Sequence, residues 1–202
     1  MQLRHWLLLL SFPPFASLVG LSATASATPA ATANAPTTVR ALYGLHAPAR
    51  LSAAKTALLL VDFQDEFFHG RLPLPEGPAA VQHAARLLDW ARRSRLLVVH
   101  VRNVVTRAGS PMFVPGTAGV RSVPELLERP EELVLTKSLP GAFSRTELDQ
   151  KLRERGIDTV IIAGLMTHLA VTTTASDATV LGYQAIVAGQ ATATRALPGA
   201  GR

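Results

Sequence analysis

The feature that most constrains this chain is an alternation of two periodicities. Short apolar runs, Ala57–Val61 (ALLLV), Leu96–Val101 (LLVVHV), Leu133–Leu135, Thr159–Ala163 (TVIIA) and Gln184–Ala188, recur between stretches of helical character. A run that is apolar on both of its faces suits a parallel strand covered on both sides. Between the runs, Pro78 to Arg93 places Val81, Ala84, Leu88 and Ala91 on one helical face, with Pro78 in the first turn. A short helix is predicted near Pro124–Glu128. Ser144 followed by Glu147 has capping-box spacing for a helix through Arg155, with Gly156 as its stop. Val171–Leu181, closed by Gly182, is the next helix. Strands alternating with helices predict a three-layer α/β/α domain with a mainly parallel sheet. The fifth strand lies close to the end of the sequence, with no covering helix read after it.

The sequence has 202 residues, 48% of them hydrophobic and 17% charged, which is the composition of a globular chain. Its net charge is +6, but the arginines are scattered (Arg86, Arg92, Arg93, Arg95, Arg102, Arg107) and not interleaved with aromatics. A solvated basic surface is therefore the favoured reading, and no nucleic-acid partner is expected. Residues 1–27 read as an export signal: Arg4, then an apolar stretch from Trp6 to Leu21 broken by Pro13 and Pro14, then Ala25-Ser26-Ala27 before Thr28. The expected product is secreted or periplasmic, with no membrane association after cleavage; the alternative is an uncleaved N-terminal anchor. Residues 28–50, rich in Ala, Thr and Pro, read as a linker, and the folded domain is placed at 51–202. The chain contains no cysteine, which rules out disulfides, a cysteine-linked lipid anchor and thiol chemistry alike.

In an open α/β sheet, ligands bind beyond the carboxyl ends of the strands. Asp62 directly follows the first apolar run, Lys137 follows the third, and the turn Gly164–Ala170 follows the fourth. Charges at strand ends are costly unless they pair or do chemistry, and a half-buried carboxylate beside a lysine can act as base and then as acid. The alternative is an ordinary structural ion pair. His100 sits inside an apolar run and reads as a satisfied core histidine. His69 and His168 have no partner at metal spacing, so no metal and no cofactor are expected. Thr172, Thr173 and Thr174 lie just inside the next helix, where such hydroxyls more often bond to backbone than attack a substrate.

Three segments, in order, resemble the signatures of the isochorismatase-like hydrolases, also called cysteine hydrolases. They are VDFQDEF (61–67), TKSLPGAF (136–143) with Thr146, and GLMTHLAVTTTASDA (164–178). The resemblance runs from about Leu51 to Pro198 and implies a Rossmann-like isochorismatase fold, here without that family's last helix and strand. It implies Asp62 as general acid/base and Lys137 as its charge partner. It also implies an oxyanion hole from the backbone N–H groups of Met166 and Ala170, and a cis peptide between Leu165 and Met166. Phe67 corresponds to a ring lining the pocket, and Gln64 is placed with it as a substrate-side residue or a support of the loop. In most members the nucleophile is a cysteine at position 170, where this chain has alanine. The family also implies a small-molecule substrate and a tendency to self-associate.

Three functions fit these residues. The first is a hydrolase of small amides or related C–N bonds, with activity lost or strongly reduced because Ala170 replaces the nucleophile. The second is a cysteine-independent, isochorismatase-type vinyl-ether hydrolase in which Asp62 protonates the substrate. The third is an exported pseudoenzyme that binds a small ligand in the old pocket.

Overall fold

The structure, a computed structural model, describes Leu42, residues 50–197 and Gly199. The expected export signal at 1–27 and nearly all of 28–50 lie outside the described residues. The chain divides after Leu51 into two compact units. In the first, Leu42 is an exposed helical residue. Every element named below belongs to the second, Ser52–Arg202.

Five strands form one sheet: β1 (Thr56–Val61), β2 (Leu97–Asn103), β3 (Leu133–Lys137), β4 (Thr159–Leu165) and β5 (Gln184–Ala193). All neighbouring pairs are parallel, in the order β3-β2-β1-β4-β5. The helices are α1 (Glu66–His69), α2 (Gly77–Arg93), α3 (Leu148–Arg153) and α4 (Thr172–Val180). β1 and β4 are buried along their whole length, as their unbroken apolar sequences require. Alternate residues Ala57, Leu59, Val61, Val160 and Ile162 join Leu148 and Leu152 of α3 and Ala178 of α4 in one core cluster. Ala80, Val81, Ala84, Leu88 and Ala91 of α2 are buried on the other face, giving three layers. Packing at the centre is close: a Cβ at Gly164 would meet the Val61 carbonyl oxygen at 2.5 Å, so β4 can lie this near β1 only with glycine there.

Several local features differ from the sequence reading. The capping box at Ser144–Glu147 does not form: Glu147 itself stands at the N-cap with no side-chain cap hydrogen bond, and the Ser144 hydroxyl donates to Asp177 Oδ2 (3.3 Å). The helix begins instead at Leu148 and ends at Arg153, two residues before Arg155; Gly156 takes the left-handed φ of 66° expected of the stop. Ahead of α4 lies a wider π turn, Thr167–Val171. β5 runs on to Ala193, past Gly189, because its register with β4 jumps between Ile162 and Gly164 and takes up the extra residues.

Candidate active site

The strand order locates the site. From β1 the chain steps outward through β2 to β3, then crosses back to β4 and outward to β5. The direction reverses between β1 and β4, and ligand crevices form at the carboxyl ends of strands flanking such a switch. Val61 ends β1 opposite Val101 of β2 and Gly164 of β4. Asp62 is therefore the first residue past the sheet at the switch point, and the Met166–Ala170 turn leaves β4 on its other side.

Asp62 is held with a left-handed φ of 57° while its N–H donates to the Val101 carbonyl (2.8 Å). Aspartate tolerates this region better than most residues, at a modest cost in strain. Lys137, the last residue of β3, stands in register with Asn103 and reaches past the end of β2 to Asp62. Its ammonium donates to Asp62 Oδ2 at 2.6 Å and to the Leu139 carbonyl at 3.2 Å. Asp62 and Lys137 are 3% and 5% exposed. Burial pushes the Asp62 carboxyl up from its ordinary 3.8 to about 6, and the attraction of Lys137 offsets only part of this. The second carboxyl oxygen, Oδ1, is buried and has no hydrogen-bond partner among the described residues. A carboxyl with one oxygen anchored, the other uncommitted and a raised pKa is suited to passing a proton near neutral pH.

Ala170 lies within the π turn, 4% exposed, and its methyl belongs to the core cluster that holds Val61, Val101 and Ala142. The Leu165–Met166 peptide is cis. The Met166 carbonyl accepts from the N–H groups of Leu169 (3.1 Å) and Val171 (3.3 Å), closing the turn. Single π turns of this kind recur at functional sites. The Lys137 loop is fastened to α4. Ala142 N–H donates to the Thr174 hydroxyl (3.0 Å), and Thr146 donates to the Ala142 carbonyl (2.6 Å). Gly141 leaves room for the Asp177 carboxylate and the Ser144 hydroxyl, which a side chain there would strike. Thr174 and Thr172 thus spend their hydroxyls on structure, the latter on the Thr167 carbonyl (2.7 Å).

Phe67 is buried and meets Phe113 edge-on, ring centroids 5.4 Å apart. Gln64 is fully buried and turned to the backbone. Its amide donates to the carbonyls of Asn103 (2.9 Å) and Val120 (3.1 Å), and its oxygen accepts from Asn103 N–H (2.7 Å). Gln64 thus ties the β1 loop to β2, the loop-supporting role that stood beside a substrate-side one for this residue. Glu66 does related work, accepting from Arg71 N–H (2.8 Å) with its carboxylate wedged against Gly70 and Gly119. His100 is buried with Nε2 on Glu132 (2.8 Å), which Arg92 also grips at 2.7 Å. Burial holds His100 below its usual range, and Glu132 lies down at about 2, held there by hydrogen bonds from Arg92, the Arg129 N–H and His100 against the opposing effect of burial. Among the described residues, no three His, Cys, Asp or Glu side chains gather as a metal site.

The sequence reading passed over two features. Asn103 stands beside Lys137 with a buried side-chain oxygen that has no partner among the described residues. At the same end of the sheet, a cavity of about 550 Å³ is lined by Arg71, Pro73, Glu76, Thr194 and Arg195, with Thr194 bonded to His168.

Comparison with known proteins agrees with this fold. The isochorismatase domain family matches residues 56–199. This chain belongs to the isochorismatase family. The secreted isochorismatase effector Isc1 of Verticillium dahliae is 33% identical over 152 residues, 75% of this chain and 80% of that protein. The crystal structure of an isochorismatase from Pseudomonas putida KT2440 superposes with a TM-score of 0.74 at 36% identity, over 81% of this chain and 82% of that one. That of N-carbamoylsarcosine amidase from Thermoplasma acidophilum gives 0.67, also at 36% identity, over 71% and 87%. Membership supports a hydrolase of the isochorismatase family; the sequence itself contains no thiol.

Proposed function

We propose that this chain is an exported isochorismatase-family hydrolase whose site is shaped for small amides and related C–N bonds, but whose cysteine-dependent turnover is lost or strongly reduced. One observation carries the reading: a buried Lys137–Asp62 pair, 2.6 Å apart, stands at the switch point where position 170 offers only a methyl group. In the full reaction a thiol at 170 would attack the amide carbon. The oxyanion would face the backbone N–H groups of Met166 and Ala170, Asp62 would take the thiol proton and return it to the leaving nitrogen, and water would then cleave the acyl thioester to the acid and regenerate the thiol. Alanine removes the attacking atom and leaves the proton carrier, and loss of a nucleophile of this kind costs on the order of 10⁶-fold in turnover. The similarity to an N-carbamoylsarcosine amidase supports the amide class. Export rests on the sequence of residues 1–27 and on the similarity to a secreted effector; among the described residues no helix is long and apolar enough to cross a membrane.

A second reading draws on the raised Asp62 pKa. A carboxyl near 6 keeps about a tenth of its molecules protonated at pH 7, enough to protonate a vinyl ether with no protein nucleophile. Assaying the parent and Ala170→Cys on a panel of small amides and on isochorismate separates these readings. Amidase activity in the cysteine variant alone supports the disabled amidase. Turnover of isochorismate by the parent, abolished by Asp62→Ala, supports the second reading. Saturable binding with no turnover by either protein makes the chain a binding protein. Brisk amide hydrolysis by the parent would refute the assignment of position 170.

A further inference from the structure

The strand ends around Asp62 hold an excess of hydrogen-bond acceptors. Asp62 Oδ1 and Asn103 Oδ1 are both buried without a partner among the described residues. Buried polar side-chain atoms are nearly always satisfied, so each exception calls for a reason. Three other such atoms occur among the described residues, and their places set them apart. Arg102 Nε and Glu128 Oε2 belong to one ion pair, with Nη2 and Oε1 3.4 Å apart, and Thr56 begins β1 at the opposite end of the sheet. The two remaining oxygens stand together at the switch point. No protein donor answers either.

Their closeness follows from the register. Asp62 is the first residue beyond β1, whose last residue, Val61, is level with Val101 of β2; Asn103 ends β2 two residues further on. Asn103 is in register with Lys137, and the ammonium that reaches Asp62 from β3 has to pass over the end of β2, beside Asn103. Alternate residues of a strand share a face, so Asn103 continues the row formed by Val99 and Val101. That row lies in the core cluster with Ala170. The Asn103 side chain thus stands on the face of the sheet that carries position 170, one strand away from Asp62. Its backbone is fixed. Gln64 bonds both its N–H (2.7 Å) and its carbonyl (2.9 Å), and the next residue, Val104, donates to the Lys137 carbonyl (2.8 Å). A side chain on so fixed a backbone is placed before the ligand arrives, which lowers the ordering cost of binding.

We infer that Asn103 is a substrate-side residue that reads the ligand's nitrogen: Asn103 Oδ1 accepts one hydrogen of an unsubstituted –NH2 group, and Asp62 Oδ1 accepts the other. Two acceptors about 2.9 Å from one nitrogen and about 120° apart lie about 5 Å from each other, close to the spacing of about 4.8 Å between adjacent strands. The same two oxygens disfavour the acid that amide cleavage yields. A carboxylate oxygen in place of the –NH2 brings no hydrogen and meets two further oxygens, one of them a carboxylate's. An N-methyl amide is disfavoured as well, because a methyl group replaces one of the two hydrogens. Asn103 is in this way a specificity-determining residue, and the inference rests on the reading of the site as one for small amides.

Calorimetric titration of the full chain tests it, with acetamide, hexanamide and benzamide, each set beside its N-methyl amide and its acid. At least one of the three –NH2 amides is expected to bind the parent about 10-fold or more tighter than both of its analogues, since a site built to bond an N–H rejects analogues that lack it. Asn103→Leu, nearly the same size, is expected to weaken that amide about 10-fold and to remove most of the preference. The same change is expected to leave the urea unfolding midpoint unchanged or to raise it, because it removes a buried acceptor that no protein donor serves. A merely structural asparagine would instead lower the midpoint when replaced. Asn103→Ala repeats both measurements with a side chain too small to clash. Amide binding that both variants leave unchanged overturns the inference, as does an amide bound no tighter than its acid, or a fall in stability in both variants. If no amide binds the parent and Ala170→Cys turns none over, the amide reading of the site itself fails, and the inference falls with it.

Discussion

Replacing Asp62 by asparagine separates a poised carboxylate from a structural ion pair. The amide is nearly the shape of the carboxyl, and asparagine accepts a φ of 57° as readily as aspartate, so the backbone needs no change. In the fold the carboxyl lies at about 6, against 3.8 when exposed. Because the folded pKa is raised, the folded chain binds the proton more tightly than the unfolded chain. The associated stability is fully present below about pH 3.8 and is lost as pH rises through about 6. At about 1.4 kcal/mol per pH unit, that interval amounts to about 3 kcal/mol. Asparagine cannot ionise and avoids this loss. Urea unfolding of Asp62→Asn and its parent from pH 4 to pH 8 should therefore give a stability difference that moves in favour of the variant by about 3 kcal/mol, on the order-of-magnitude scale of such linkage, levelling off above about pH 6. A carboxylate that simply holds the fold together would behave oppositely: removing it would strand the Lys137 ammonium and cost about 3–5 kcal/mol at pH 8. That result, or a difference independent of pH, would refute the assignment of Asp62 as a poised proton carrier.

Other consequences follow from the supports of the site. Gln64→Ala removes three hydrogen bonds to Asn103 and Val120 and leaves buried backbone groups unpaired, so it should lower unfolding stability by about 3 kcal/mol. The binding of a small amide by the folded fraction should weaken with it, measured by calorimetry, because the loop carrying Asp62 is loosened. Glu132, held down at about 2, contributes stability that is present above its ordinary 4.5 and lost as pH falls toward 2. Glu132→Gln should therefore flatten the acid limb of the stability curve, read by urea unfolding between about pH 5 and pH 2.

The elements that are easiest to read from the sequence are those whose burial is complete. β1 and β4 show unbroken apolar runs because both faces of the sheet are covered there. The Asp62–Lys137 pair is legible for a related reason: each charge directly follows such a run, a position that is costly without a partner. Features set by distant contacts are not legible. Ser144 and Glu147 have the spacing of a cap, but Asp177, 33 residues away, takes the hydroxyl. The partners of Gln64 lie 39 and 56 residues off, so its role as a loop anchor has no local signature. β5 continues beyond Gly189 because a change of register with β4 takes up the extra residues, something the strand's own sequence does not encode. Arg71 and Arg195 line one cavity although they lie far apart in the sequence, so neither stands out among the scattered arginines.

The central claim is that Asp62, Lys137 and position 170 act on one ligand. The chain has no cysteine, so a thiol introduced by Ala170→Cys is the only one to titrate. The decisive measurement is the pH dependence of its alkylation by iodoacetamide, with and without Asp62→Asn. Removing a nearby carboxylate while Lys137 stays should lower the thiol pKa by about one unit or more. Identical profiles in the two backgrounds would show that position 170 does not sense Asp62, and the assignment of the site would be wrong.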